Sequence, residues 1–76
     1  MKELLTYVAR HLVDEPDAVS VTVTERGDDL VLELRVATAD MGKVIGRQGR
    51  VAKEVRTLMK AVGQRADTKV SVEIME

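Results

Sequence analysis

Gly46-Arg47-Gln48-Gly49 carries the strongest chemical signal in this sequence. Two glycines three positions apart let the main chain enter φ > 0 conformations, and they remove the Cβ atoms that would hold a ligand's sugar-phosphate chain away from the backbone. A helical pattern resumes at about Arg50. A helix starting there aims unpaired N–H groups and the positive end of its dipole into the loop. Arg47 and Arg50 add full charges, so the segment is suited to hold phosphates. Taken alone, glycines at this spacing read as an ordinary helix-helix turn. Charge distribution favours the anion-binding reading: from Gly42 to Arg65 there are seven cations (Lys43, Arg47, Arg50, Lys53, Arg56, Lys60, Arg65) against one anion, Glu54. All other positions together hold five cations and twelve anions, so a net charge of −1 conceals a polarised molecule.

Gly42-Lys43-Val44-Ile45-Gly46-Arg47-Gln48-Gly49-Arg50, with the helical stretch after it, resembles the signature of the KH domain. That resemblance implies an RNA-binding module whose Gly-x-x-Gly loop clamps the backbone of about four nucleotides. The element order argued below is similar to the prokaryotic, type II variant. A 76-residue chain that is one such domain from end to end resembles the KhpA family of small bacterial RNA-binding proteins. The resemblance implies homodimers, a heteromer with a larger KH protein of the KhpB (Jag-like) type, and a role as an RNA chaperone or post-transcriptional regulator linked to cell elongation and division. One position departs from the pattern: the second variable loop residue, often basic in similar loops, is Gln48, which leaves Arg47 as the main charge inside the loop.

The residues expected to contact single-stranded RNA are Gly46, Arg47, Gln48 and Gly49, assisted by Lys43, Arg50 and Lys53. Bases would lie against aliphatic side chains, for which Val44, Ile45, Val51 and Val36 are the candidates. Tyr7 is the only aromatic residue, so recognition by stacking has little to work with. Phosphate contacts position a strand while base edges specify it, so binding is expected to be weak and salt-sensitive. Neutralising about two to four phosphates on a single strand gives a slope of log K against log salt of roughly −1.5 to −3. Nothing in the residues would sense a 2′-hydroxyl; the choice of RNA over single-stranded DNA rests on the family.

Several other functions are disfavoured. There is no cysteine, hence no disulfide framework and no thiolate zinc site, and the single histidine, His11, has no partner for a metal. Asp28 and Asp29 read as turn residues, since the further oxygen ligands of a calcium loop do not follow. No Ser/His/Asp or Cys/His set and no paired carboxylates point to an enzyme. Gly42-x-x-x-Gly46-x-x-Gly49 lacks both the Lys-Ser/Thr of a P-loop and the G-x-G-x-x-G order. No cofactor is expected. Without a signal-like or membrane-length apolar span, a cytoplasmic protein is the default. The competing reading is a protein-interaction module that docks or dimerises through the first helix or the helix after Arg50.

The elements that must position the loop follow from hydrophobic periodicity. Met1, Leu4, Leu5, Val8 and Leu12 mark one face of a helix that Asp14-Glu15-Pro16 ends. Val19, Val21 and Val23 alternate with Ser20, Thr22 and Thr24, and after the turn Glu25 to Asp29 Leu30, Leu32, Leu34 and Val36 alternate with Val31, Glu33 and Arg35, which predicts an antiparallel hairpin. Thr38 or Asp40 is expected to cap a short helix over Met41 to Ile45. A longer helix from about Arg50 would bury Val51, Val55, Leu58, Met59 and Val62 and stop at Gly63 in a left-handed cap. Lys53, Arg56 and Lys60 lie opposite that stripe, and solvation is the simplest reading of Arg56 and Lys60. Val70, Val72 and Ile74 form a third strand. The predicted fold is one α+β domain over residues 1–76, α-β-β-α-α-β, with a three-stranded mixed sheet, helices on one face and a wet opposite face.

Overall fold

The alternation between positions 19 and 36 produces the hairpin it predicts. In the computed structural model, which describes residues 1–76, β1 (Ser20–Arg26) pairs antiparallel with β2 (Asp29–Arg35), Val21 opposite Leu34 and Val23 opposite Leu32. Gly27, at φ +58°, opens the two-residue turn between them. α1 (Lys2–Leu12) comes before the hairpin; α2 (Met41–Ile45) and α3 (Arg50–Arg65) come after it and lead to β3 (Lys69–Met75). β3 lies parallel to β2, with Leu32 opposite Val72, and the sheet order is β1-β2-β3. Parallel neighbours need a long crossover, and α2 with α3 supplies it. This is the α+β arrangement expected of a type II KH fold.

Inward-facing Val21, Leu32, Leu34, Val70 and Val72 meet Leu5 and Ala9 of α1, Val44 of α2, and Val55 and Met59 of α3 in one core. Burying one such aliphatic side chain is worth about 1.5–3 kcal/mol, so the three helices are held chiefly by this contact with the sheet. The opposite sheet face carries Ser20, Thr22, Thr24, Glu33, Arg35, Ser71 and Glu73, all exposed or half-buried as expected. Val31 shares that face yet is buried, because it sits on the central strand between Thr24 and Ser71.

Three expectations are corrected. α3 does not stop at Gly63; it runs to Arg65 and ends in a Schellman arrangement, with Asp67 at φ +55° and the Thr68 and Asp67 N–H groups donating to the Gly63 and Gln64 carbonyls at 2.8 and 3.1 Å. Gly63 instead serves close packing, since a Cβ there would come within 2.6 Å of the Thr68 carbonyl oxygen and of Val70. Leu58 is not in the core but 42% exposed, because the buried stripe of α3 runs through Ala52, Val55, Met59 and Gly63, whose two small members let the helix close on the sheet. Neither Thr38 nor Asp40 caps α2 with its side chain.

Candidate nucleic-acid interface

α2 has only five residues, too few to hold its own shape in water, so its position must come from tertiary contacts. Val44 supplies one, being 1% exposed in the core. Asp40 supplies another. Its carboxylate turns away from α2 and accepts the backbone N–H groups of Asp14 and Glu15 at 3.2 and 3.1 Å, one on each oxygen. The ammonium of Lys43 pairs with Asp14 and lies 3.6 Å from Asp40. The start of α2 is thereby stitched to the segment that leaves α1. Burial would push the Asp40 carboxyl up, but the two N–H groups and Lys43 outweigh it and hold its pKa below the ordinary value. The hydrogen bond that Lys43 donates to Asp14 raises the Lys43 pKa against the cost of its burial, and the nearby charges of Asp14 and Asp40 add to the rise.

The loop then turns sharply. The Gly46 N–H closes α2 on the Gly42 carbonyl at 2.9 Å, and Gly46 itself sits at φ 76°, ψ 176°, a region that other residues enter only under strain. Arg47–Gly49 form a single tight turn, with Gln48 at φ 55° and Gly49 at φ 75° in the left-handed region, before α3 begins at Arg50. No side chain caps the first turn of α3, so its N-terminal dipole faces the loop uncompensated by any acid.

The two glycines of the motif do different work. A Cβ on Gly46 would lie 2.5 Å from Val51 Cγ2 and 2.9 Å from the Val51 backbone nitrogen, so this glycine lets α2 and α3 approach. A Cβ on Gly49 would meet nothing within 4 Å, and the same holds for Gly42 on α2. Gly42 lies within a helix, where glycine costs about 1 kcal/mol relative to alanine. Its bare surface meets no need of the fold, whereas Gly49 is favoured by its left-handed backbone and not by packing.

Arg47, Gln48, Arg50 and Lys53 are exposed, and Gly46 and Gly49 half-buried, along one continuous stretch of loop and first helical turn. Of the aliphatic candidates, Ile45 is 37% exposed and Val51 half-buried, whereas Val44 and Val36 are core residues with 1% and 5% exposure. The last two cannot offer a surface to a base without unpacking the core; they hold up the loop from beneath. Lys43 is exposed but already shared between two carboxylates. Sequence reasoning missed Asp40 and Asp14 as its partners. The i, i+3 spacing of Asp40 and Lys43 was a local signal for half of this cluster, but Asp14 reaches it only through the fold. Arg56, expected to be solvated, donates from Nε to the Val72 carbonyl at 3.2 Å on the free edge of β3.

A family profile described as KhpA/KhpB, KH domain, matches residues 2–74. The chain is 49% identical over 75 residues to RNA-binding protein KhpA of Clostridium acetobutylicum, covering 99% of this chain and 100% of that protein. It is 45% identical to RNA-binding protein KhpA of Chlamydia trachomatis, covering 100% and 97% of the two chains, and 46% identical to that of Listeria monocytogenes, covering both completely. These are not enzymes by name or by family. With the matched residues spanning the whole fold, glycine loop included, the chain belongs to the KhpA/KhpB family of KH-domain proteins.

Proposed function

We propose that this protein binds single-stranded RNA without catalysis, its backbone clamped by Gly46, Arg47, Gln48 and Gly49. The single observation that carries the reading is the loop and its approach: Gly49, and Gly42 on the helix before it, whose missing side chains leave open space, an uncapped helix start, and Arg47, Arg50 and Lys53 exposed beside them. The Gly49 and Gly42 surfaces admit a sugar-phosphate chain, the α3 N-terminus and the cations meet its charge, and Ile45 and Val51 offer an apolar ledge to bases. Lys43 acts partly through the fold, holding α2 while adding a shared positive charge at the rim. The names of the relatives above support RNA as the ligand class.

The test is fluorescence anisotropy of a labelled single-stranded RNA pool with the native protein and with the double variant Arg47→Asp, Gln48→Asp, at two salt concentrations. Aspartate tolerates the left-handed conformation at position 48, so the fold should survive, which circular dichroism checks. Salt-dependent binding by the native protein and its loss in the folded variant support the clamp; equal binding by both refutes it. A DNA pool run alongside reads the preference for RNA.

One observation favours a second, compatible reading. Val8 and Leu12 of α1 and Val51, Val55 and exposed Leu58 of α3 line a shallow, mostly apolar hollow that also takes in Glu54. We propose this face as the surface of the homodimer, and of a heteromer with a larger KhpB-type protein, through which the family would act in post-transcriptional regulation and cell elongation. Sedimentation equilibrium at high micromolar concentration tests it: Leu58→Asp should shift a dimeric mass toward the monomer, and a single monomeric mass for the native chain rules the surface out.

A further inference from the structure

The seven cations between Gly42 and Arg65 are not equivalent once their partners are known. Lys43 is held by Asp14 and Asp40, and Arg56 by the Val72 carbonyl. Arg47, Arg50, Lys53 and Lys60 form no ion pair, and the four pairs present in the protein lie elsewhere. Twelve acids are available outside this segment, and none reaches these four.

Their placement is linear. Arg50, Lys53, Lys60 and Gln64 are spaced by three, seven and four residues, which puts them on one exposed face of α3. Glu54, the only acid of the helix, borders the stripe on the side toward α1. At the far end, Lys60 and Gln64 share a hollow with Thr68 and with Lys69, the first residue of β3; Asp29 on its wall, and Asp28 and Asp67 in the hollow on the other side of Lys69, mark where the positive surface stops.

We propose that the loop is the start of a longer phosphate track, running from Arg47 through Arg50 and Lys53 to Lys60 and Lys69, and that the protein binds a strand extending well past the nucleotides clamped at Gly46 to Gly49. The track rests on the RNA-binding reading of the loop and deepens it. Arg50 and Lys60 are about 15 Å apart along the helix at 1.5 Å per residue. A stacked strand places a phosphate about every 3.4 Å, so about four further nucleotides fit beside α3. A polyanion is the occupant that matches this surface: beside the charges and hydrogen-bond donors of the stripe, Leu58, in one hollow with Arg50, Lys53, Glu54 and Thr57, is the single large apolar side chain, so a protein or lipid surface would bury little area against it.

The test compares the native protein with the variant Lys60→Gln, Lys69→Gln on single-stranded RNAs of about four and about twelve nucleotides, by anisotropy at about 50 and about 200 mM salt. Both lysines are exposed, and circular dichroism confirms the fold. The native protein should bind the long strand more tightly and with a steeper salt dependence than the short one. The variant should keep its affinity for the short strand. On the long strand two lysines at about 0.7 each lower the slope by about 1.4, so the rise in salt costs the native protein about sevenfold more affinity than the variant. Equal slopes for the two proteins on the long strand, or an equal loss on both strands, overturn the track and leave the loop reading standing. Failure of the native protein to bind either strand overturns both.

Discussion

Gly46→Ala and Gly49→Ala, three residues apart in one loop, are predicted to differ in stability by about 2 kcal/mol or more. At Gly46 the backbone (φ 76°, ψ 176°) is one that alanine adopts at a cost of about 1–3 kcal/mol. The added methyl would also stand 2.9 Å from the Val51 backbone nitrogen and 2.5 Å from its Cγ2. Rotating Val51 moves only the second atom, so the start of α3 must shift, an overpacking cost of about 1–3 kcal/mol more. Gly49, at φ 75°, ψ 16°, is left-handed with open space around it, so alanine there meets only the strain of that conformation, about 1–2 kcal/mol. Both variants gain equally from a stiffer unfolded chain, and that gain cancels in the comparison. For a domain of this size, 1 kcal/mol moves Tm by about 4–8 °C, so the two melting temperatures should differ by about 10 °C. Thermal and urea unfolding followed by circular dichroism measure it. A difference below about 0.5 kcal/mol, or a Gly49 variant that is the less stable of the two, would refute the division of labour between the glycines.

Four other variants have outcomes fixed by the same geometry. Gly42→Ala should leave stability unchanged or raise it by up to about 1 kcal/mol, since the site is helical and open, while weakening RNA binding; a destabilised variant would mean that the glycine serves the fold. Gly63→Ala should lose about 1–3 kcal/mol in urea unfolding despite better helix propensity, because its methyl would sit 2.6 Å from the Thr68 carbonyl oxygen, and a stabilised variant would sink that account. Asparagine can accept at only one of the two positions where Asp40 meets backbone N–H groups, so Asp40→Asn should lower Tm at neutral pH. Because the folded pKa of Asp40 lies below the ordinary 3.8, its contribution is complete above that value and is lost as pH falls through the folded one. Native Tm should therefore drop more steeply with acid than that of the variant, and parallel profiles would contradict the assignment. Lys43, raised above 10.5, has the opposite sign: its contribution is present below that value and is lost as pH climbs through the folded one, so Lys43→Met should flatten the alkaline limb.

The sheet and helices were legible because their signals are local. Alternating valines and leucines set the hairpin, and the length of the crossover set the parallel strand. What the pattern misplaced depends on neighbours distant in sequence. Gly63 looks like a helix stop in isolation; only the return of β3 against it reveals a packing residue. Asp40 has the chemistry of a cap, yet the backbone of Asp14 and Glu15, some 25 residues away, competes for its carboxylate and wins. Leu58 counts as core on hydrophobicity alone, but Ala52 and Gly63 rotate the buried stripe away from it. In the loop, residue types indicated an anion site but could not separate Val44, which supports it from inside, from Ile45 and Val51, which present a surface.

The central claim, that the glycine loop is where a strand binds, is tested most directly by titrating isotope-labelled native protein with a short single-stranded RNA and following backbone amide chemical shifts. The largest changes are expected at Gly42 and from Ile45 to Lys53, with the outer sheet face of Ser20, Thr22 and Ser71 unmoved. Changes centred on that sheet face, with Gly46 to Gly49 silent, would contradict it.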